Sequence, residues 1–82
     1  MTKSIFTNKY EALRALIIDA RKEKNLTQTQ VAKKLGRPQS FVSKFERGER
    51  RLDVVEFLDL ARVLGLNPCH LLQRLERGAR RD

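Results

Sequence analysis

Apolar side chains recur along the chain at intervals of three and four residues, and capping residues separate the segments that carry them. Such spacing places the apolar side chains on one face of a helix, where they can be buried together. Neither a sustained alternation of apolar and polar residues nor an Asn-Gly or Asp-Gly hairpin turn occurs. The pattern therefore predicts an all-α fold, a compact five-helix bundle in a single domain over residues 1–82, with flexible ends at 1–7 and 79–82.

The first two helices are bounded by residues with strong capping preferences. We expect the first helix to begin with Asn8 as its N-cap and to end at Asn25, which accepts the left-handed conformation. Thr27 and Gln30 have the spacing of a capping box and predict the start of the second helix, which Gly36 would end. The core-facing residues of these two helices are Leu13, Leu16, Ile17, Ala20, Val31, Ala32 and Leu35.

Three more helices follow. Pro38 suits the first turn of a third helix, and the spacing of Asp53 and Glu56 predicts a second capping box at the start of a fourth. Asn67 followed by Pro68 predicts the start of a fifth. We expect glycines to end these three helices, at Gly48, Gly65 and Gly78.

The second and third helices are joined by a very short connection. Two helices that cross steeply after a tight turn require a small residue at the crossing, a glycine at the turn and a branched apolar residue on the second helix. Ala32, Gly36 and Val42 meet these three requirements. The spacing therefore predicts a helix-turn-helix over about residues 28–47.

The run from Leu26 to Arg51, LTQTQVAKKLGRPQSFVSKFERGERR, resembles the phage repressor and Cro family of helix-turn-helix DNA-binding proteins. The resemblance extends over about residues 13–72 and depends on the combined pattern TQ-x-x-VA-x-x-LG-x-x-QS-x-VS-x-x-E-x-G. It implies a lambda-repressor-like DNA-binding domain, with the N-terminal residues of the third helix against base edges in the major groove. It also implies that the second helix meets a phosphate at its N-terminus.

The resemblance assigns base contacts to Gln39, Ser40 and Lys44. A glutamine can bond N6 and N7 of adenine, a lysine can donate to O6 and N7 of guanine, and a serine can serve several bases. Gln28 matches the family position that touches a phosphate and braces the first glutamine of the third helix. The alternative is that these residues form an ordinary solvated helix face.

Further charged and polar residues flank the third helix. The candidates for contacts with the DNA backbone are Arg37, Ser43, Arg47, Arg50 and Arg51, although such a cluster is also typical of solvated surface. The resemblance predicts a structural salt bridge between Arg21 and Glu46, which would hold the third helix against the scaffold. Phe41 would either touch a thymine methyl or sugar or pack against the second helix.

Charge supports a polyanionic partner. The 82 residues include 18 Lys and Arg against 10 Asp and Glu, which gives a formal net charge of +8. Nucleic acid, the ribosome or an anionic membrane would all attract such a surface, and the motif favours double-stranded DNA. No apolar run approaches the roughly 20 residues that span a bilayer, and residues 1–10 lack a secretory signal. We therefore expect a cytoplasmic protein without membrane association.

Catalytic and metal-binding patterns are missing from the sequence. Cys69 is the single cysteine, so no intrachain disulfide can form, and with His70, the single histidine, it falls short of a zinc ligand set. No glycine-rich phosphate loop and no group of catalytic residue types occurs. We therefore expect no metal, no cofactor and no enzymatic activity.

The expected function is that of a sequence-specific transcriptional regulator, most simply a repressor, which binds as a homodimer to half-sites one duplex turn apart. The fifth helix is the candidate dimer interface through Leu66, Leu71, Leu72 and Leu75, unless these leucines complete the core. Alternatives are an antitoxin-like DNA-binding module with a protein partner, a restriction-modification controller, and a basic RNA-binding or nucleoid-like protein.

Overall fold

This computed structural model describes residues 8–80 of the chain. Within this range, the segments with helical periodicity form five α-helices separated by capping residues, and there is no β-strand. The order along the chain is α1 (Asn8–Glu23), α2 (Gln28–Leu35), α3 (Gln39–Glu46), α4 (Val54–Val63) and α5 (Pro68–Arg80). The all-α prediction is therefore confirmed. Residues 1–7 and 81–82, which contain most of the predicted flexible ends, lie outside the described residues.

Both predicted capping boxes are present. The Thr27 hydroxyl accepts a hydrogen bond from the Gln30 backbone N–H at 3.0 Å, and the Gln30 side chain accepts one from the Thr27 N–H at 2.8 Å. Asp53 and Glu56 make the same reciprocal pair at 2.8 and 3.0 Å. Each box satisfies two donors that the first turn of a helix would otherwise leave unpaired, so α2 and α4 begin where the sequence predicts.

Helix ends differ in how well the sequence predicts them. Asn25 adopts the expected left-handed conformation after α1, with φ of 58°. Pro38 lies one residue earlier than expected, as the N-cap of α3 in an extended conformation. The predicted end of the fifth helix at Gly78 is wrong, because α5 continues to Arg80. A glycine inside a helix costs about 1 kcal/mol relative to alanine without breaking it, and no proline follows to stop the helix.

The core is built from all five helices. Its most buried large side chains are Ile17, Val31, Phe45, Leu60 and Leu64. The helix α1 packs against α5, and α2 packs against α3 and α4. This arrangement surrounds the inner face of α3 with apolar side chains and leaves its outer face to solvent.

The predicted dimer interface on α5 requires correction. Leu71 and Leu75, one helical turn apart, are buried in the core at 5% and 7% exposure, and Leu66 packs partly buried against the same cluster. Only Leu72 of the four remains exposed, at 54%. Because α5 is amphipathic and packs on α1, its leucines at positions 71 and 75 are used within the molecule. They are therefore not available to a partner.

Candidate nucleic-acid interface

The turn between α2 and α3 is sharp. Gly36 has φ of 72°, a left-handed conformation that glycine adopts without steric cost. The Arg37 N–H then bonds back to the Ala32 carbonyl at 3.0 Å, which ends α2. One residue further, Pro38 is the N-cap of α3, which begins at Gln39. Val31, Ala32 and Val42 are buried between the helices, so packing holds the pair at a defined angle.

The two faces of α3 have different surroundings. Phe41, Val42 and Phe45 are buried at 7%, 3% and 1% exposure. The predicted base-contacting residues, Gln39, Ser40 and Lys44, are all exposed on the opposite side. Ser40 and Lys44 lie one turn apart and Gln39 stands at the helix start, so the three share one solvent-facing surface. The structure thus brings the predicted set together.

Gln28 and Gln39 are in contact. The side-chain nitrogen of Gln39 donates to Gln28 Oε1 at 3.0 Å, and Gln28 Nε2 donates to Glu46 Oε1 at 2.8 Å. Gln28 is the first residue of α2, and Gln39 the first of α3. The amide of Gln39 is therefore held by a residue of the preceding helix.

Arg21 and Glu46 form the ion pair that the resemblance implies. Arg21 Nε and Nη2 donate to the two Glu46 oxygens at 2.7 and 2.8 Å, and Arg21 Nη1 donates to the Leu26 carbonyl at 2.9 Å. The two side chains are 14% and 8% exposed. The hydrogen bond to Glu46 raises the pKa of the Arg21 guanidinium. This pair ties the C-terminal end of α3 to α1.

Arg14 is a contributor that sequence reasoning missed. Its Nε donates to the Phe45 carbonyl at 3.3 Å and its Nη2 donates to the Glu46 carbonyl, so it satisfies carbonyls in the last turn of α3. It also pairs with Glu11. The signal was its position seven residues before Arg21, which places both arginines on one face of α1.

Glu56 organises a second cluster that the sequence did not reveal. Its carboxylate is buried at 7% exposure and accepts from Arg37 Nη1 at 3.2 Å and from both Arg50 Nη atoms at 2.9 Å. The hydrogen bonds from Arg50 and then from the Asp53 backbone lower the pKa of Glu56 to about 2. Arg37 and Arg50 also lie over the Phe41 ring, at 4.7 and 4.6 Å from its centroid.

This cluster changes the interpretation of Phe41 and of two predicted phosphate ligands. Phe41 is a core residue covered by guanidinium groups, which excludes contact between its ring and a thymine methyl in this arrangement. Arg37 and Arg50 are bound to Glu56 rather than extended into solvent, with side chains 39% and 36% exposed. Sequence reasoning identified Glu56 only as a capping residue.

The remaining predicted backbone contacts lie around the C-terminal half of α3. Arg47 is exposed and pairs with Glu49 at 3.0 Å, which raises the pKa of Arg47 through their hydrogen bond. Arg51 lies 4.5 Å over the Tyr10 ring. Ser43 donates to the Ser40 carbonyl at 3.3 Å. All three remain accessible at least in part from the solvent side.

A family model described as helix-turn-helix matches residues 17–71, which is more than half of the chain and contains α2, α3 and all the residues predicted to contact DNA. The chain belongs to the Cro/C1-type helix-turn-helix family. The resemblance drawn from residues 26–51 is thereby confirmed.

The similar proteins include a transcriptional regulator and two proteins of known structure. This helix-turn-helix protein is 38% identical over 52 residues to an uncharacterized HTH-type transcriptional regulator of Sinorhizobium fredii, covering 63% of this chain and 68% of that protein. An XRE-family like protein from Pseudomonas syringae pv. tomato has the same fold, with a TM-score of 0.81, 52% identity and 84% of each chain covered. The restriction-modification controller protein C.AhdI from Aeromonas hydrophila is 32% identical, with a TM-score of 0.67 over 73% of this chain and 91% of that one.

The part of the chain that the structure describes contains neither a metal-binding cluster nor a membrane-spanning helix. Between residues 8 and 80, no group of three or more His, Cys, Asp and Glu side chains is arranged to hold a metal ion. Within the same range, none of the helices of this helix-turn-helix protein combines the length and the apolar character that crossing a bilayer requires.

Proposed function

We propose that this helix-turn-helix protein is a transcriptional regulator that binds duplex DNA of defined sequence, with α3 in the major groove. The observation that carries the proposal is the outer face of α3, where Gln39, Ser40 and Lys44 stand exposed on a helix whose inner face is locked into the core. In helix-turn-helix proteins the side chains that read base edges project from an α-helix that fits the major groove. The formal net charge of +8 would attract the protein to DNA at long range.

The chemistry of the three side chains suits base edges of different kinds. Gln39 can make paired hydrogen bonds to adenine N6 and N7, and Lys44 can donate to guanine O6 and N7. Ser40, which lies between them in sequence, can donate or accept. A site read by this face would therefore contain both A·T and G·C pairs.

Contacts with the DNA backbone would come from both sides of α3. Gln28 and the free N–H groups at the start of α2 would meet one phosphate. Beside them lies an open depression lined by residues that include Lys22, Asn25 and Thr29. Arg47 and Arg51 would contact phosphates on the other side, together with Arg37 and Arg50, which Glu56 already holds in position.

A homodimer would read two half-sites, since a single module of this size buries little DNA surface. Three large apolar side chains stand exposed on one side of α4: Val54 at 73%, Val55 at 64% and Leu58 at 42%. They are neighbours on the helix surface, because the spacing is three and four residues. A two-fold axis would bring this patch against the same patch of a second copy.

The proposal is tested by selecting binding sites from a random duplex library at near-physiological salt. Low salt would mostly measure phosphate contacts. We expect an enriched inverted repeat with half-sites about ten base pairs apart, centre to centre. Binding without enrichment of any sequence would contradict the proposal and favour a nonspecific nucleic-acid-binding protein.

A restriction-modification controller is a second candidate, favoured by the similarity to C.AhdI, which extends over 91% of that chain. The same experiment separates the two functions when the selected sequence is sought near the protein's own promoter. A controller would bind there and change the expression of an adjacent restriction endonuclease gene. A regulator of unrelated genes would leave that expression unchanged.

A further inference from the structure

A continuous chain of side-chain hydrogen bonds leads from the scaffold to the exposed end of Gln39. Glu46 accepts from Arg21 on one side and from Gln28 Nε2 on the other. Gln28 Oε1 in turn accepts from Gln39 Nε2 at 3.0 Å. The anchoring carboxylate is 8% exposed, whereas Gln39 is exposed, so the chain carries a buried constraint to the protein surface.

The direction of this chain is set at its buried end. An ionised carboxylate can only accept hydrogen bonds, and Glu46 is held beside the Arg21 guanidinium. Gln28 must therefore turn its NH₂ group towards Glu46, which leaves its oxygen facing Gln39. Gln39 must then turn its own NH₂ towards that oxygen. Each amide has one favourable orientation, and Glu46 determines both.

The orientation matters for what Gln39 offers to a base. One N–H of Gln39 is engaged by Gln28, and its second N–H and its Oε1 remain unbonded to protein among the described contacts. One donor beside one acceptor matches adenine, which presents an acceptor at N7 and a donor at N6. Guanine presents acceptors at both N7 and O6, so one of them would face Gln39 Oε1 without a proton between them.

We propose that Glu46 is a positioning residue for base specificity, which acts through Gln28 to orient the Gln39 amide for adenine and against guanine. The proposal rests on the proposed function, because it concerns the base that Gln39 reads. It assigns to Glu46 a role beyond the ion pair with Arg21, and that role predicts effects on base choice that loss of stability would not produce.

The test measures the ratio of affinities for two duplexes that differ only by adenine or guanine at the position read by Gln39. That position is the one where Gln39→Ala abolishes discrimination in the selected site. For the unaltered protein we expect adenine to be favoured by about 5- to 150-fold, the range of one paired base contact. A preference for another base at that position would overturn the proposal.

Two variants change the chain in different ways. Gln28→Leu interrupts it and leaves the Arg21–Glu46 pair intact, so the Gln39 amide can turn over and the ratio should fall towards one. The double variant Arg21→Glu with Glu46→Arg keeps an ion pair but places a donor-only guanidinium at position 46. The side-chain amide of Gln28 would then turn its oxygen towards position 46 and its NH₂ group towards Gln39. The amide of Gln39 would turn over in response, so both of its N–H groups would be available to acceptors on a base. Guanine should therefore become the favoured base.

The matched control is Arg21→Lys. It weakens the ion pair and should lower the melting temperature, yet it retains the carboxylate that orients Gln28, so the adenine preference should persist. Where the double variant does not fold, Gln28→Leu decides by itself. An adenine preference unchanged in Gln28→Leu overturns the proposal, as does one unchanged in a folded double variant. Absence of any sequence preference in the unaltered protein would instead contradict the proposed function itself.

Discussion

The arginine side chains around α3 differ in their interaction partners, and the sequence did not predict this difference. Arg47 is exposed and pairs with a neighbour two residues away, whereas Arg37 and Arg50 are fixed by Glu56 and the Phe41 ring. The ion pair of Arg21 with Glu46 was expected because the family resemblance places it there. The Glu56 cluster joins residues 19 and 6 positions apart, and no spacing rule links such common residue types.

Gln39 gives the most direct prediction at this scale. Gln39→Ala removes one paired base contact and should weaken binding to the selected site by about 1–3 kcal/mol. Binding to a scrambled duplex should hardly change, because that depends on phosphate contacts. Fluorescence anisotropy titrations with both duplexes measure the two affinities. An equal loss on both duplexes would remove Gln39 from the base-reading set.

Glu56 predicts a pH dependence of stability. Its pKa is lowered from 4.5 to about 2 by its hydrogen bonds in the folded protein, so the unfolded chain binds the proton more tightly. The resulting stabilisation is present above pH 4.5 and is lost as the pH falls towards 2. Glu56→Gln keeps a side chain that can cap Asp53, and its melting temperature should fall less steeply over this range.

Circular dichroism melts between pH 2 and pH 6 test this difference. Asp59→Asn, at an exposed position on the same helix, is the matched control and should follow the unaltered protein. If the melting temperatures of Glu56→Gln and of the unaltered protein fall equally as the pH is lowered, the carboxylate of Glu56 does not stabilise the fold.

At the scale of elements, the sequence predicted where helices begin better than where they end. Capping boxes are local and leave a readable pair of residues, as at Thr27 with Gln30. Gly78 did not end α5, because a glycine inside a helix costs only about 1 kcal/mol and does not terminate the helix by itself. Arg14 was missed because its partners in α3 are backbone carbonyls, and a carbonyl has no signature in the sequence.

The turn between α2 and α3 can be tested through Gly36. A Cβ atom added there would meet nothing within 4 Å, and φ is 72°. Gly36→Ala should therefore cost only the left-handed backbone strain, about 1–2 kcal/mol. Gly36→Asn should cost less, because asparagine tolerates this conformation, as Asn25 does at the end of α1. Urea denaturation gives both free energies of unfolding, and equal losses would show that strain is not the cause.

For the whole molecule, the fold class and the helix-turn-helix followed from the sequence, but the exposed apolar patch proposed to meet a second copy did not. The number of apolar residues on α5 suggested an interface there. In the structure, Leu71 and Leu75 are buried in the core. Periodicity alone does not distinguish a helix face that packs against the core from one that contacts a second copy. The exposed patch lies instead on α4, at Val54, Val55 and Leu58.

If the proposed dimer forms through the patch on α4, a charged substitution in this patch should change the oligomeric state of the protein. Val55→Glu introduces a charge where a second copy would bury apolar surface, so the protein should become monomeric by sedimentation equilibrium. Its melting temperature at low protein concentration should change little, because Val55 is 64% exposed. Gln73→Glu, at an exposed position on α5, carries the same charge change of about −1 as a control. A Val55→Glu protein that still dimerises would place the interface elsewhere.

The cluster around Phe41 also bears on the entropy of binding. A free arginine side chain loses up to about 2 kcal/mol of rotamer entropy when it is immobilised. Arg37 and Arg50 lose much of that freedom during folding, because Glu56 and the aromatic ring already hold them. In the proposed complex they would meet phosphates with less conformational freedom left to lose, whereas Arg47, which is 56% exposed and pairs only with the exposed Glu49, would lose more of its own. Arginine contacts with phosphates beside α3 would therefore differ in their net contribution to affinity, although they are of the same chemical kind.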